Sequence, residues 1–386
     1  MKNHYFSLIA VVTMLACSVP GRLAGETQPV PGDATFTAGP TDTSVPVTVT
    51  PLPPTATPLP PAISAETVGR LRVSKSFAEG IVRAVDFSPD GTVLAAAEGD
   101  PAASIGTIQL YDPATGVSLG TLEGHESGVW GLGFSPDGRY LASAGRDRTA
   151  KVWDWRNHTL VYSLDFPHEV TSVAFSPDSR TLAVGGVDEL PGANLEDAAI
   201  WTFAVDSWTS QLKLAEYWNI SDIAYTPDGS LIIGGGTSRN VRVWKAGDGA
   251  EQFILYHPGQ VGSIAVAPDG TIVATAGCEQ SDASHQCVRG AVWLWSLSTG
   301  RLIATVSDFE QGVAGVVYSP DGTLLVAATP DGTLHAYSAA EQRLLWTASA
   351  PPGLFNVLIG DMALSTDGRF IATGGSGRID VWEVGE

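Results

Sequence analysis

The feature that most restricts this chain is one tight turn written seven times. Ser-Pro-Asp-Gly stands at 88–91 and 135–138, and variants begin at Ser176, Thr226, Ala267, Ser319 and Ser365, in steps of 47, 41, 50, 41, 52 and 46 residues. Proline sets φ near −65° and the fourth residue is free to take positive φ, so each copy reverses the chain. An alternating apolar run precedes every turn, from VRAVDF at 82–87 to the looser LIGDMAL at 358–364. A second strand follows the turn, and a third run ends in an aromatic, as in AKVWDW at 150–155 and IDVWEV at 379–384. A fourth, shorter strand usually comes next. Period-two apolarity marks strands with one buried face. Four antiparallel strands cannot hide both faces alone, so such units must stack on one another, and a period of 40–50 residues lies in the solenoid and propeller range.

With the signatures Gly124-His125 and Trp153-Asp154 in the second unit, the pattern resembles the WD40 β-propeller over about residues 66–386. The resemblance implies an all-β, seven-bladed propeller. The chain ends in the third strand of blade seven, while RLRVSKSF at 70–77 precedes blade one without a partner. This N-terminal strand is expected to pair into the last blade, close the ring and remove the exposed edges. The family's buried network of His, Ser or Thr, Asp and Trp carries over to His125, Ser143, Asp147 and Trp153 of blade two. Outside blade two the network is degraded: its Asp place holds Asp331 in blade six but Ile105, Ser238, Arg289 and Ser376 in others, so most blades are expected to rely on packing. A satisfied buried network is a structural device, and His125 with Asp147 is read as that and not as a catalytic dyad.

Upstream of the repeats the composition changes twice. Residues 1–17, MKNHYFSLIAVVTMLAC, combine Lys2 with an apolar run too short to span a bilayer, which reads as a secretory signal. MLAC resembles a lipoprotein lipobox, which implies cleavage before Cys17 and acylation of its thiol, although Leu15 departs from the small residue usual there. An ordinary signal peptide with an incidental cysteine is the alternative. Residues 18–65 are dense in Pro and Thr and nearly free of charge from Thr27 onward, so they are expected to extend as a tether. Cys278 and Cys287 flank a polar segment between strand-like runs; in an exported chain a disulfide is expected, with two free thiols as the alternative. Neither they nor the scattered histidines supply a four-ligand metal set, and no metal or cofactor is expected.

The 21 Lys and Arg against 41 Asp and Glu give a net charge of −20, which disfavours nucleic acid as a partner. Motifs of phosphate loops, zinc proteases and serine hydrolases are absent from the sequence. What remains irregular is the segment between second and third strands, long in blade one (98–106), blade three (187–198) and blade five (278–290). In the family these segments emerge on the face that carries the interblade connections. The residues five places before each turn are expected at the same rim: Arg83, Trp130, Thr171, Ser221, Gly262, Ala314 and Gly360. Arg83, Trp130 and the loop residue Arg146 supply an aromatic and two guanidinium groups, types enriched at binding hot spots. Asp188, Glu189, Glu196 and Asp197 lack the spacing of a calcium loop. The sequence thus points to a non-catalytic protein- or peptide-binding scaffold, displayed at the cell envelope on a lipid anchor, as a monomer or within an envelope assembly. The alternative is a lactonase-like propeller hydrolase with its site in the central channel.

Overall fold

The computed structural model describes residues 61–98, 105–186, 198–215, 219–284, 286–350 and 359–385. The expected signal, Cys17 and most of the tether lie outside the described residues. The strands form seven four-stranded antiparallel blades. The inner strands are the second half of Leu71–Phe87, then Val129–Phe134, Val170–Phe175, Ile220–Tyr225, Val261–Val266, Gly315–Tyr318 and Ile359–Leu364. Each touches the next, and the last returns to the first, so the ring is closed.

Closure works as the sequence implies, with one addition. Leu71 to Ala78 pair antiparallel with Arg378 to Val384 of blade seven, and the same strand runs on without a break to become the inner strand of blade one. Blades one and seven therefore share one continuous six-stranded sheet. Ser76 donates to the buried carboxylate of Asp380 at 2.5 Å, while Arg378 Nε donates to its other oxygen at 2.7 Å. Ile63, Val68 and Leu71 are buried with Leu324 and Leu334 of blade six and Trp382 of blade seven.

The repeated turn is held by its own side chains. Ser88 Oγ donates to Asp90 Oδ1 at 2.6 Å and accepts the Val93 N–H at 2.9 Å, which fixes the start of the second strand. The same exchange recurs at Ser176 with Asp178, Thr226 with Asp228, Ser319 with Asp321 and Ser365 with Asp367. Ala267 lacks the hydroxyl, and there Asp269 alone receives Thr271. The fourth residue is a glycine at φ near +70° in six copies and Ser179 at +60° in the third. Ser179 Oγ accepts the Asp137 N–H of the preceding turn, a bond that offsets part of the left-handed strain.

Apolar side chains fill the space between adjacent blades. Ala84, Ala95 and Leu110 of blade one meet Val129, Leu141 and Trp153 of blade two in one buried cluster. Three aspartates add polar staples around the axis. Asp86, Asp222 and Asp361 each accept the N–H of the following residue and, through the second oxygen, an N–H of another blade: Phe134 at 2.7 Å, Ile264 at 2.7 Å and Val85 at 3.0 Å respectively. Burial, which outweighs these N–H donors, pushes Asp86 and Asp222 up to about 7 and Asp361 up to about 6. Repulsion from Asp361 adds to the rise at the other two.

Candidate functional site

Two rims can be told apart by their hydrogen bonds. The turns between second and third strands bond to the interblade connections: Arg146 N–H to the Gly128 carbonyl, Thr237 to Asn219 and Cys278 to Gln260. The opposite rim carries the Pro-Asp-Gly turns, and the described chain enters there, where the Ile63 N–H donates to the Gly368 carbonyl at 2.7 Å.

At the first rim, most of the residues five places before a Pro-Asp-Gly turn are β-bulges. In blade one Val82 pairs with Glu98 and Ala84 with Ala97, leaving Arg83 as the extra residue. Trp130, Thr171, Ser221, Gly262 and Gly360 are the extra residues of blades two, three, four, five and seven. A bulge breaks the in–out alternation and re-aims its side chain, and bulges concentrate beside binding sites. The result here is an asymmetric mouth. The Arg83 guanidinium lies over the Trp130 ring, 5.5 Å from its centroid, while Ser221 and Gly262 are small and exposed. The indole N–H of Trp130 is buried without an acceptor among the described residues. Thr171 is used internally, donating to the Ile220 carbonyl.

The structure brings Arg83 and Trp130 together and commits Arg146 elsewhere: its Nε donates to Glu169 Oε1 at 3.0 Å. Of the three long segments, 99–104 and 187–197 lie outside the described residues, and Asp188, Glu189, Glu196 and Asp197 with them. The third corrects the expectation of a loop. Strands Ile272–Ser281 and Cys287–Ser296 continue through it as a lengthened hairpin. Cys278 and Cys287 are disulfide-bonded across it, with Cα atoms 5.6 Å apart, and Arg289 pairs with Glu279.

The blade-two network is complete. His125 bonds Asp147 through Nδ1 at 2.9 Å and Ser143 through Nε2 at 2.7 Å, and the Trp153 indole donates to Ser143 at 2.8 Å. Burial works against the Asp147 charge, but bonds from His125, Thr149 and the Glu126 N–H hold the carboxyl well below the usual range. The expectation that other blades lack such a network needs correcting for blade five. His257 Nε2 meets Thr275 Oγ1 at 2.8 Å, and Trp295 Nε1 donates to the same oxygen at 3.1 Å. The signal was present: 18 positions separate His125 from Ser143 and likewise His257 from Thr275. The lengthened hairpin displaces Trp295 and hid the match. A backbone carbonyl, Leu255, takes the place of the missing Asp, and burial pushes His257 down to about 4, so the ring is neutral. Among the described residues no three His, Cys, Asp or Glu side chains come together to hold a metal.

Comparison with known proteins agrees with this geometry. The WD domain, G-beta repeat family matches residues 71–104, 116–154, 158–189, 209–245 and 300–338. The chain is 26% identical over 282 residues to the serine-threonine kinase receptor-associated protein of Gallus gallus, covering 64% of this chain and 77% of the relative. It is 24% identical over 243 residues to periodic tryptophan protein 2 of Arabidopsis thaliana, covering 60% of this chain but only 24% of the relative's length. A target of rapamycin complex subunit, wat1 of Schizosaccharomyces pombe, is 29% identical over 170 residues, 44% of this chain and 50% of the relative.

Proposed function

Because the chain is a seven-bladed propeller built with WD40 repeats, a rigid ring with one rim of variable side chains, we propose that it is a non-catalytic scaffold that holds a protein or peptide at its bulge rim. The observation that carries this reading is the bulged Arg83–Trp130 pair at the mouth of the ring. A half-buried aromatic with a guanidinium beside it is the kind of anchor on which interface energy concentrates. The relatives' names, a receptor-associated protein and a complex subunit, describe proteins that work in assemblies and support the same class of role. With a partner recovered by crosslinking in native extracts, Trp130→Ala and Arg83→Ala are each expected to weaken binding by at least about tenfold in calorimetry. Unchanged affinity in both variants removes the site from this rim.

The same proposal places the propeller outside the cytoplasm, at the cell envelope, on a lipid anchor and tether. It rests on the Lys2 and apolar run, the MLAC end and the Pro/Thr stretch. Cys17→Ser is expected to abolish palmitate labelling and to release the chain from the membrane fraction. Label retained by the variant, or no label in the wild type, rules the anchor out.

A further inference from the structure

Among the described residues, six other than glycine hold a left-handed backbone: Arg148, His158, Ser179, Trp208, Arg239 and Gln342, with φ between 51° and 65°. Such a conformation is costly for a residue with a Cβ, so the surroundings usually compensate it. Four of the six side chains are engaged by other residues of the chain. Ser179 accepts from the neighbouring turn, His158 lies over the Cα of Gly120, Trp208 stacks on Tyr162 at 5.4 Å, and Gln342 Nε2 donates to the Ala339 carbonyl at 2.7 Å. The two arginines differ. Both are exposed, and neither pairs with an acidic side chain among the described residues.

Arg148 and Arg239 occupy equivalent places, in the turns between second and third strands of blades two and four, on the rim that carries Trp130. Their backbones tie each turn to the chain that follows the blade, since the Arg148 carbonyl accepts the Phe166 N–H and the Arg239 carbonyl the His257 N–H. Blade six does the same with Gly332, at φ 90°, whose carbonyl accepts the Ala350 N–H. Glycine is therefore sufficient for the turn, and the arginine side chains are not needed to make it. Of the other arginines of this rim, Arg83 lies against Trp130, and Arg146, Arg289 and Arg378 hold carboxylates of the chain itself, Glu169, Glu279 and Asp380 respectively.

We infer that Arg148 and Arg239 are contact residues for an extended acidic peptide, whose Asp or Glu side chains take the place that Glu169, Glu279 and Asp380 fill elsewhere on the rim. This inference rests on the bulge rim being the binding face and names the chemistry of its partner. The turns are two blades apart, about 20 Å with sheets stacked about 10 Å apart, a span of roughly six extended residues. The complementarity to such a segment is local, two exposed guanidinium groups on one rim, and it acts against the repulsion of the chain's −20 net charge.

The test uses the full chain in detergent and a fluorescein-labelled octaglutamate probe, read by anisotropy at low and physiological salt. The wild type is expected to bind, less tightly as salt rises, and not to bind octalysine. Arg148→Gly with Arg239→Gly should lose at least about tenfold in affinity while its Tm stays level or rises, because glycine relieves the left-handed strain. Arg148→Lys with Arg239→Lys should recover part of the binding through charge alone. No probe binding by the wild type, or equal binding by the glycine variant, overturns the inference. A probe weakened by Trp130→Ala but not by the glycine pair would leave the rim as the site and remove these arginines from it. The reverse result would keep the arginines and remove the bulge anchor.

Discussion

A chain lacking residues 61–78 is expected to lose its cooperative thermal transition and to elute as aggregates instead of a monomer. Three side chains explain most of the loss: Ile63, Val68 and Leu71 are each no more than 5% exposed and cement blades six and seven. Their burial contributes about 5 kcal/mol or more, against a typical total stability of roughly 5–15 kcal/mol. Deletion also strips the partner strand from Arg378 to Val384 and leaves Asp380 without its Ser76 donor. The bare edge of blade seven then invites pairing with other chains. A synthetic peptide of residues 61–80 added in trans should restore monomer and transition in part. A deletion variant that melts within a few degrees of the wild type as a monomer shows that the ring holds without its closing strand.

Stability is expected to fall as pH rises from about 4 to 7. The carboxyls of Asp86, Asp222 and Asp361 titrate at about 7, 7 and 6 in the fold, against 3.8 for an ordinary aspartate. Between those limits the folded chain keeps protons that the unfolded chain has released. The proton-linkage slope is then negative, about 1.4 kcal/mol per pH unit for each group across its own window. Below about pH 4 both states are protonated and the contribution is complete; above about 7 both are ionised and it is gone. Tm measured from pH 4.5 to 7.5 should therefore decline by several degrees. Asp222→Asn should flatten the slope, since an amide does not ionise. The two N–H donors of Ile223 and Ile264 then share one carbonyl oxygen, so that variant should also start lower at pH 4.5. A Tm that climbs steadily across the range shows that the three groups are ionised in the fold.

Much of the architecture was legible before any coordinates, because its signals are local. The Ser-Pro-Asp-Gly turn carries its own hydroxyl–carboxylate exchange, so the residues that make it are contiguous and recur. The closing strand could be inferred by counting, since blade seven lacked one strand and the N-terminal segment was one too many. The bulges could not be read this way. Arg83 and Trp130 sit in runs that look like plain alternation, and their re-aiming depends on register against Glu98 and Gly145 across the hairpin. Nor could the engagement of Arg146, which depends on Glu169 reaching it from the connection to the next blade.

The blade-five network shows the boundary between the two. Its His257 and Thr275 keep the spacing of blade two, but a longer hairpin separates Thr275 from Trp295, and spatial proximity does the rest. What the amino-acid sequence alone determined is the unit, the number of units and the way the ring shuts, since the unit follows from turn chemistry within about fifty residues and the rest from counting its repeats and strands. What only the tertiary structure decided is which side chains share a rim, which cations are already neutralised and which aspartates meet across blades. Those depend on contacts between residues remote in the chain, whose distances no local pattern encodes.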